Sequence, residues 1–482
     1  MNEASFYEWL KSQGVKRCSL IEVDTVSPKF LSTVPYTTTP TDPSPNLSYL
    51  PVVDSSFAFS EKLSLDGNPS ISVGDIEIEN NDGRLDGWLD EVWVNTKIRI
   101  YIGDVSWKRE DFFLIFDGVV ANLDSRSRGK LNLSLRSKLD RLNTPVTESL
   151  LGGSTSNSDR ILPLTFGECH NITPLLVDPP NHVYQFHQGS AERVIEVRDN
   201  GVPITINTSL SQGKFTLVAS PAGTITASVQ GKTPYTNTVA GIIKFLATQY
   251  GTPTERFSLS EIDEDNFNTF NTLHPQPVGV YLGDRANVLA VCQELAASVG
   301  AQLVVSNLGK LRLIKIETPS ATGAYKIGLD NYEYDSLSIS SRSEVIAGVR
   351  LGYCKNWTVQ DALDTGIPAE NKDMFAQEWL TVSSRDSSVA STYKLYADPP
   401  QVDTLLLKQS HAQAEAARRL GIWKVPHNIF RLTGFPELLQ LKLGQSVILE
   451  GTRWGLDSGK LGQVIGLESD WIAGRVNVEV MI

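Results

Sequence analysis

The chain has 482 residues, 41% of them hydrophobic and 20% charged, with a net charge of −12. That length is more than one core organises, so about three to four domains are expected. The charge argues against a protein that grips phosphates over its whole surface, and four scattered cysteines (Cys18, Cys169, Cys292 and Cys354) do not make a disulfide framework.

Residues 3–13 have the spacing of a short helix with Phe6, Trp9 and Leu10 on one face and Gly14 placed to end it. Alternation from Cys18 to Thr25 predicts a strand. Residues 26–51, rich in Pro, Ser and Thr, predict an exposed loop that orders only against a neighbour. From about 57 to 142 the pattern is all-β. Ile76-Glu77-Ile78-Glu79-Asn80 alternates, Asn81-Asp82-Gly83 supplies a turn, and Phe112-Phe113-Leu114-Ile115-Phe116 is apolar on both faces, as a central strand should be. Strands at this spacing predict a small barrel or sandwich.

Residues 143–160 are a polar linker with Gly152-Gly153, followed by a second β-region to about 232 that includes the turn Asp199-Asn200-Gly201. An α/β section comes next. Val239, Ile242, Ile243 and Leu246 have helical spacing, with Asn237 or Thr238 as cap and Gly251 as stop. A second helix is predicted from Asp284, striped by Val288, Cys292, Leu295 and Val299, and a hairpin turns at Asn307-Leu308-Gly309. Strands return beyond 335, and a third helix is expected over 404–420 with Gly421 after it. The expected division is 1–145 (helix, proline-rich loop and first barrel), 146–232 (inserted β-domain), 233–335 (α/β domain) and 336–482 (third helix and second barrel). The fold class is mainly β with α+β insertions, multidomain, with two related small β-barrel domains.

The second barrel is expected because the chain nearly repeats itself. Phe116-Asp117-Gly118-Val119-Val120-Ala121-Asn122-Leu123 precedes Gly129-Lys130-Leu131-Asn132-Leu133-Ser134-Leu135. Leu461-Gly462-Gln463-Val464-Ile465-Gly466-Leu467 precedes Gly474-Arg475-Val476-Asn477-Val478-Glu479-Val480. Upstream, the run from Lys97 to Gly103 leads to Trp107, and the run from Gln445 to Gly451 leads to Trp454. Two similar β-units in one chain point to a scaffold more than to a single pocket.

Motifs for chemistry are sparse. Cys169-His170 with His182 and His187 is the one cluster of ligand-type residues, but its spacing matches no tetrahedral zinc signature, and Pro174, Pro179 and Pro180 predict a loop there. Asp82 and Asp86 flank Gly83-Arg84-Leu85, with Asp90-Glu91 following; two carboxylates could serve as acid and base in glycoside hydrolysis, yet Asp before Gly is turn chemistry and Arg84 can neutralise one of them. Asp263-Glu264-Asp265-Asn266 has calcium-loop composition without the calcium-loop spacing, and reads as a solvated acidic loop. Arg418-Arg419 sits where cations favour a helix dipole. Trp88, Trp93 and Trp357 read as core, and Tyr353, Asn356 and Trp357 as packing or interface. No phosphate-binding loop, dinucleotide fingerprint or nucleophile elbow occurs. No catalytic residue, cofactor or metal is assigned, and the expectation is a non-enzyme.

The order of several segments resembles the tail hub proteins of bacteriophages with long non-contractile tails. Ser72-Val73-Gly74-Asp75-Ile76-Glu77-Ile78-Glu79-Asn80-Asn81-Asp82-Gly83-Arg84-Leu85-Asp86 and Phe113-Leu114-Ile115-Phe116-Asp117-Gly118-Val119-Val120 are similar to the first hub barrel. Pro163-Leu164-Thr165-Phe166-Gly167-Glu168-Cys169-His170-Asn171-Ile172, Leu295-Ala296-Ala297-Ser298-Val299-Gly300-Ala301 and Gly309-Lys310-Leu311-Arg312-Leu313 also fit. Gly352-Tyr353-Cys354-Lys355-Asn356-Trp357-Thr358-Val359-Gln360 is the most specific match; Ala414-Glu415-Ala416-Ala417-Arg418-Arg419-Leu420 and Leu443-Gly444-Gln445-Ser446-Val447 complete it, over roughly residues 60–482.

That resemblance implies a virion protein at the distal end of the tail, a homotrimer whose two barrels per chain make a ring of six similar units. Such a ring joins the six-fold tail tube or distal tail protein to three-fold spike or fibre proteins, meets the tape-measure protein, and surrounds a channel through which DNA passes only in transit during genome ejection. No membrane insertion is implied, because no apolar run reaches the length of a span. Met1-Asn2-Glu3-Ala4-Ser5-Phe6 lacks the basic start and apolar core of a signal peptide, so synthesis in the host cytoplasm is expected. Two other readings stand beside the hub: a cell-wall hydrolase acting through Asp82 and Asp86, and a receptor- or carbohydrate-binding module over 161–232.

Overall fold

The computed structural model describes residues 3–12, 14–54, 57–65, 70–360, 363 and 366–482. Residue 13, the last of the expected first helix, lies outside them. The fold is mainly β and multidomain, with seven α-helices among the described residues. It divides into two compact units, one of Met1–Asp140, Val304–Glu344 and Pro426–Ile482, the other of Arg141–Leu303 and Val345–Val425.

The first unit carries both copies of the sequence repeat. In the first copy, Ile76–Glu79 leads through the 3-10 turn Asp86–Asp90 to Lys97–Asp104, Phe113–Ser127 and Lys130–Arg136. In the second, Asn428–Gly434 leads through the 3-10 turn Pro436–Gln440 to Ser446–Leu449, Lys460–Asp470 and Arg475–Met481. Each set pairs antiparallel in the same spatial order, with the last strand lying between the first and the third.

The correspondence reaches individual residues. Leu133 faces Leu123, Ser134 faces Asn122 and Leu135 faces Val120, leaving Ala121 bulged; Val478 faces Leu467, Glu479 faces Gly466 and Val480 faces Val464, leaving Ile465 bulged. A bulge re-aims a strand and raises its twist, so the same bulge in the same register gives both sheets the same bend. Gly129 and Gly474, before each last strand, both have positive φ (90° and 67°), as a tight hairpin requires. Asn95 and Gly444, before each second strand, do too, and their N–H groups donate to Val120 O (2.9 Å) and Val464 O (2.8 Å). The register corrects one detail of the sequence comparison. Lys97 faces Val119 as Ser446 faces Gln463, so the runs beginning at Lys97 and Gln445 are one residue out of step. With the corrected offset, Ile98 and Ile100 correspond to Val447 and Leu449, all fully buried.

Both copies contribute to one apolar cluster that runs from Phe6 and Ile21 through Ile100 and Leu133 to Phe430, Leu449 and Val480. Burial of that cluster is what fixes the register, since a one-residue slip would turn each inward row toward solvent. The N-terminal helix Glu3–Lys11 forms as expected, and its Phe6 stacks on Phe113 with ring centroids 4.1 Å apart.

The proline-rich stretch is not an exposed loop. It contains the strands Lys29–Ser32, Tyr36–Thr37 and Ser48–Pro51, which extend the first sheet beyond Arg17–Val23. Tyr36 and Tyr49 are buried, and Tyr36 packs edge-on against Tyr49 and Phe112. Arg109 joins Glu22 (2.7 Å) and lies over the Tyr101 ring. Aromatic burial and a free sheet edge outweigh the turn chemistry of the prolines.

In the second unit a five-stranded sheet runs Val202–Pro203, Ala191–Asp199, Ile225–Lys232, Leu164–Ile172, Gly279–Leu282. A four-stranded sheet, Leu175–Asp178, Val183–Gln185, Lys214–Leu217 and Ile206–Ser209, packs with it around Phe186, Phe215 and Val229. The segment expected as a loop by its prolines is therefore largely strand. The helix Val239–Gln249 starts on the Thr238 cap, as expected.

Three helical readings change. The acidic segment at 263–266 is not a loop; Asp263 caps the helix Glu264–Leu273 by accepting from the Asn266 N–H (3.2 Å), and Phe267 and Phe270 supply its buried face. The second helix begins at Val288, not Asp284, because Asn287 is extended, bridges to Pro145 and caps the helix by accepting from the Ala290 N–H, while Ala286 O accepts from the Val146 N–H. The third is Gln409–Trp423, because Leu406 bridges to Val278 in extended form and because Ile422 is buried beyond Gly421, which offsets the roughly 1 kcal/mol cost of a helical glycine. That helix packs on the three-stranded sheet Leu380–Arg385, Gly348–Tyr353, Gln401–Asp403.

Candidate functional site

The residues singled out for chemistry take separate structural partners. Cys169 is buried in the Leu164–Ile172 strand, and burial pushes its thiol well above the ordinary range. His170 Nε2 lies 3.2 Å from Glu168 Oε1, and His182 Nε2 lies 3.2 Å from Ser220 Oγ. His187 accepts at Nδ1 from the Thr165 N–H (3.0 Å), and burial pulls its pKa down to about 4, so it is a neutral acceptor at pH 7. Among the described residues no group of three or more His, Cys, Asp or Glu is gathered as a metal would require.

Asp82 and Asp86 serve the turn between the first two strands of the first repeat. Asp82 accepts from the Arg84 N–H (3.2 Å), Asp86 accepts from Asn80 Nδ2 (2.7 Å), and Gly83 has a φ of 71°. Both carboxylates stand exposed on the surface. Trp93 is buried and donates to Trp88 O (2.8 Å).

The 352–360 segment turns out to be a polar joint. Asn356 is buried, its Nδ2 donating to Phe375 O (2.9 Å) and Gln377 O (3.0 Å), while its Oδ1 accepts from Asn171 Nδ2 (2.8 Å) and the Thr358 N–H (3.2 Å). Asn171 is itself buried at positive φ (58°). A buried amide with this many partners fixes a unique geometry, and an apolar replacement would leave several of them unpaired. Lys355 lies over the rings of Trp357 (4.3 Å) and Trp379 (4.9 Å). A cleft of about 610 Å³ opens beside Trp357, lined also by Arg160, Tyr281 and Asp284, with Arg160 and Asp284 paired at 3.3 Å.

Sequence reasoning missed two clasps. Glu415, 8% exposed, receives both Arg418 and Arg419 (2.7 Å each), and Arg419 also donates to Ala297 O (2.7 Å), so these arginines do more than cap a dipole. Glu at three and four residues before Arg is the signal that could have found them. Arg17 donates to Leu10 O (2.9 Å) and Ile472 O (3.2 Å), tying the N-terminal helix to the last hairpin of the second repeat.

The repeat also extends to polar side chains. Asn132 donates to Asp124 (3.2 Å) in the first copy, and Asn477, its counterpart, donates to Glu468 (3.0 Å), the counterpart of Asp124. Arg126 lies 3.3 Å from Asp124, and Arg431 lies 3.1 Å from Glu468. The same carboxylate–amide pair is thus presented twice by one chain, while the guanidinium beside it comes from the third strand in the first copy and from the first strand in the second.

No family model and no curated protein matches the chain. Among solved structures it is similar to the 43 kDa tail protein of prophage MuSo2 from Shewanella oneidensis, at 12% identity and a TM-score of 0.38 over 97% of this chain and 98% of that one. It is similar to a tail protein from Neisseria meningitidis MC58, at 9% identity and a TM-score of 0.39 over 97% of each chain. It is also similar to a chain in the virion of a native gene transfer agent particle, at 13% identity and a TM-score of 0.43 over 71% of this chain and 91% of that one. These are loose likenesses, and no residue role is transferred from them.

Proposed function

We propose that the chain is a structural, non-enzymatic hub at the distal end of a bacteriophage tail. The observation that carries this reading is the repeat: two four-stranded units with one strand order, a shared bulge position and a shared pair of positive-φ positions, in a single chain. A chain that supplies two near-identical units can present six of them as a homotrimer, and so meet a six-fold tail tube on one side and a three-fold spike or fibre on the other. The other partners in this reading are the distal tail and tape-measure proteins, with DNA passing through the enclosed channel. The motif order quoted above for the hub family supports the same reading.

The hydrolase alternative has less support, since Asp82 and Asp86 are both engaged in a surface turn. Cryo-electron microscopy of virions whose genome encodes this chain tests the proposal. The expected result is density for the chain in a closed ring at the distal tip. Its absence from the particle, or a position on the capsid or along the tube, would overturn the reading.

A further inference from the structure

Equivalent positions in the two repeats differ in exposure. In the second repeat the turn Pro436–Gln440 packs against the helix Glu3–Lys11, whose Phe6 and Leu10 are fully buried. Leu439 in that turn and Leu443 just after it are each 4% exposed. The backbone hydrogen bonds of the two turns place Leu89 where Leu439 stands and Val94 where Leu443 stands. Leu89 is 44% exposed and Val94 49%, and Val92, the one residue the first repeat inserts here, is 70% exposed. Three apolar side chains within six positions face solvent, two of them where the other copy buries its counterpart.

Charge distinguishes the two turns as well. Lys11, in the last turn of the covering helix, pairs with Glu8 on its own helix (2.9 Å) and also lies within weaker electrostatic reach of Glu437 on the turn that it covers. On the open turn Asp86 and Asp90 are exposed, while the neighbouring Glu91 is paired with Lys29 (2.8 Å). The open face therefore combines apolar area with negative charge.

We propose that the face formed by Asp86–Asp90 with Val92 and Val94 docks an amphipathic helix of a partner protein, one with aromatic and aliphatic residues on one face and a basic residue in its last turn. The helix Glu3–Lys11 shows the chemistry that fits, because it packs against the matching turn of the second repeat and shares an apolar cluster with Leu439. A second copy of this chain does not supply it from its own N-terminus, since that helix is buried through Phe6 and held at Leu10 by Arg17. The inference needs only the repeat, and stands apart from the tail reading.

A fluorescent peptide of residues 3–16, titrated into the full chain, is the probe. Saturable binding is expected, weakened about tenfold by Leu89→Asp or Val94→Asp, as truncating a buried anchor does. Carrying Lys11→Glu in the peptide should also weaken binding, and Asp90→Lys in the chain should restore it. Both chain positions are exposed, so unchanged circular dichroism and melting should confirm the fold. Binding that ignores Leu89→Asp and Val94→Asp would mean exchange with the resident helix and would overturn the proposal. So would no binding at about 1 mM, or self-association of the chain that Leu89→Asp abolishes and the peptide does not compete with.

Discussion

The two repeats share an interior and differ at their borders. In the first, the Lys97–Asp104 strand is flanked by the antiparallel seven-residue strand Arg17–Val23; in the second, Ser446–Leu449 is flanked by the parallel three-residue strand Tyr325–Ile327. At the far side, Ile76–Glu79 exchanges backbone bonds with 52–54, whereas Asn428–Gly434 pairs with the exposed strand Ser338–Arg342. The bulge is put to different use as well. Ile465 is fully buried and its carbonyl accepts from the Leu63 N–H (2.8 Å), next to the docked strand Phe59–Lys62, while Ala121 is part-exposed. Four strands with a fixed bulge and two positive-φ positions therefore suffice to set the unit, and its edges are free to be covered in different ways.

The comparison breaks most sharply in the core. Ile100 and Leu449 are equivalent and both fully buried, so Ile100→Ala and Leu449→Ala should each cost about 2–5 kcal/mol. Because both lie in one apolar cluster, denaturant unfolding followed by tryptophan fluorescence should show the same transition lowered in each variant. Loss of two separate transitions would mean that the copies fold independently.

A smaller effect is expected at the hairpins. Gly129→Ala and Gly474→Ala both force a side chain into a positive-φ position, at about 1–2 kcal/mol. Gly474 should be the costlier, because Arg17 packs against it and would be pushed from its bonds to Leu10 and Ile472. Equal losses in thermal melts would contradict that clasp.

The amides of the repeat come next, Asn132 buried and Asn477 half-buried. Asn132→Ala removes one hydrogen bond to a carboxylate, with an expected loss of about 0.5–1.5 kcal/mol, and Asn477→Ala removes the equivalent bond and the one it accepts from the Thr433 hydroxyl (2.9 Å), so its loss should be somewhat larger. A large loss at only one would show that the polar part of the repeat is coincidental.

The smallest effect tests where the copies diverge. Asp470 faces Arg475 where the first repeat has Ser127 facing Lys130, and burial raises its pKa. The folded state then binds its proton more tightly than the unfolded state, so the ionised form costs stability above the raised pKa and nothing below the ordinary aspartate range. Asp470→Asn should therefore stabilise slightly at pH 7 and have no effect at the lowest pH where the chain stays folded. The opposite sign in paired melts would refute this.

Much of this was legible in the sequence, for identifiable reasons. Strict alternation and the glycine–basic pairs at Gly129-Lys130 and Gly474-Arg475 marked the repeat because register and turn chemistry are local properties. The one-residue slip at Lys97 came from matching Gly103 with Gly451, which the register does not. The strands within 26–51 were hidden because a distant sheet edge and buried tyrosines, not local propensity, make them. The helix Glu264–Leu273 was hidden because its acidic start drew a compositional reading, although Asp263 with Phe267 and Phe270 carried both cap and stripe. At the polar joint, Asn356 depends on Asn171, 185 residues away, a pairing no local pattern encodes.

The central claim is that the chain uses its two copies to build a closed ring. Native mass spectrometry of the purified 53.0 kDa chain, with symmetry read from averaged electron micrographs, tests it most directly. The account predicts a species of three chains with six similar β-units around a central opening. A stable monomer, or a dimer with the two copies unrelated by any ring, would contradict it.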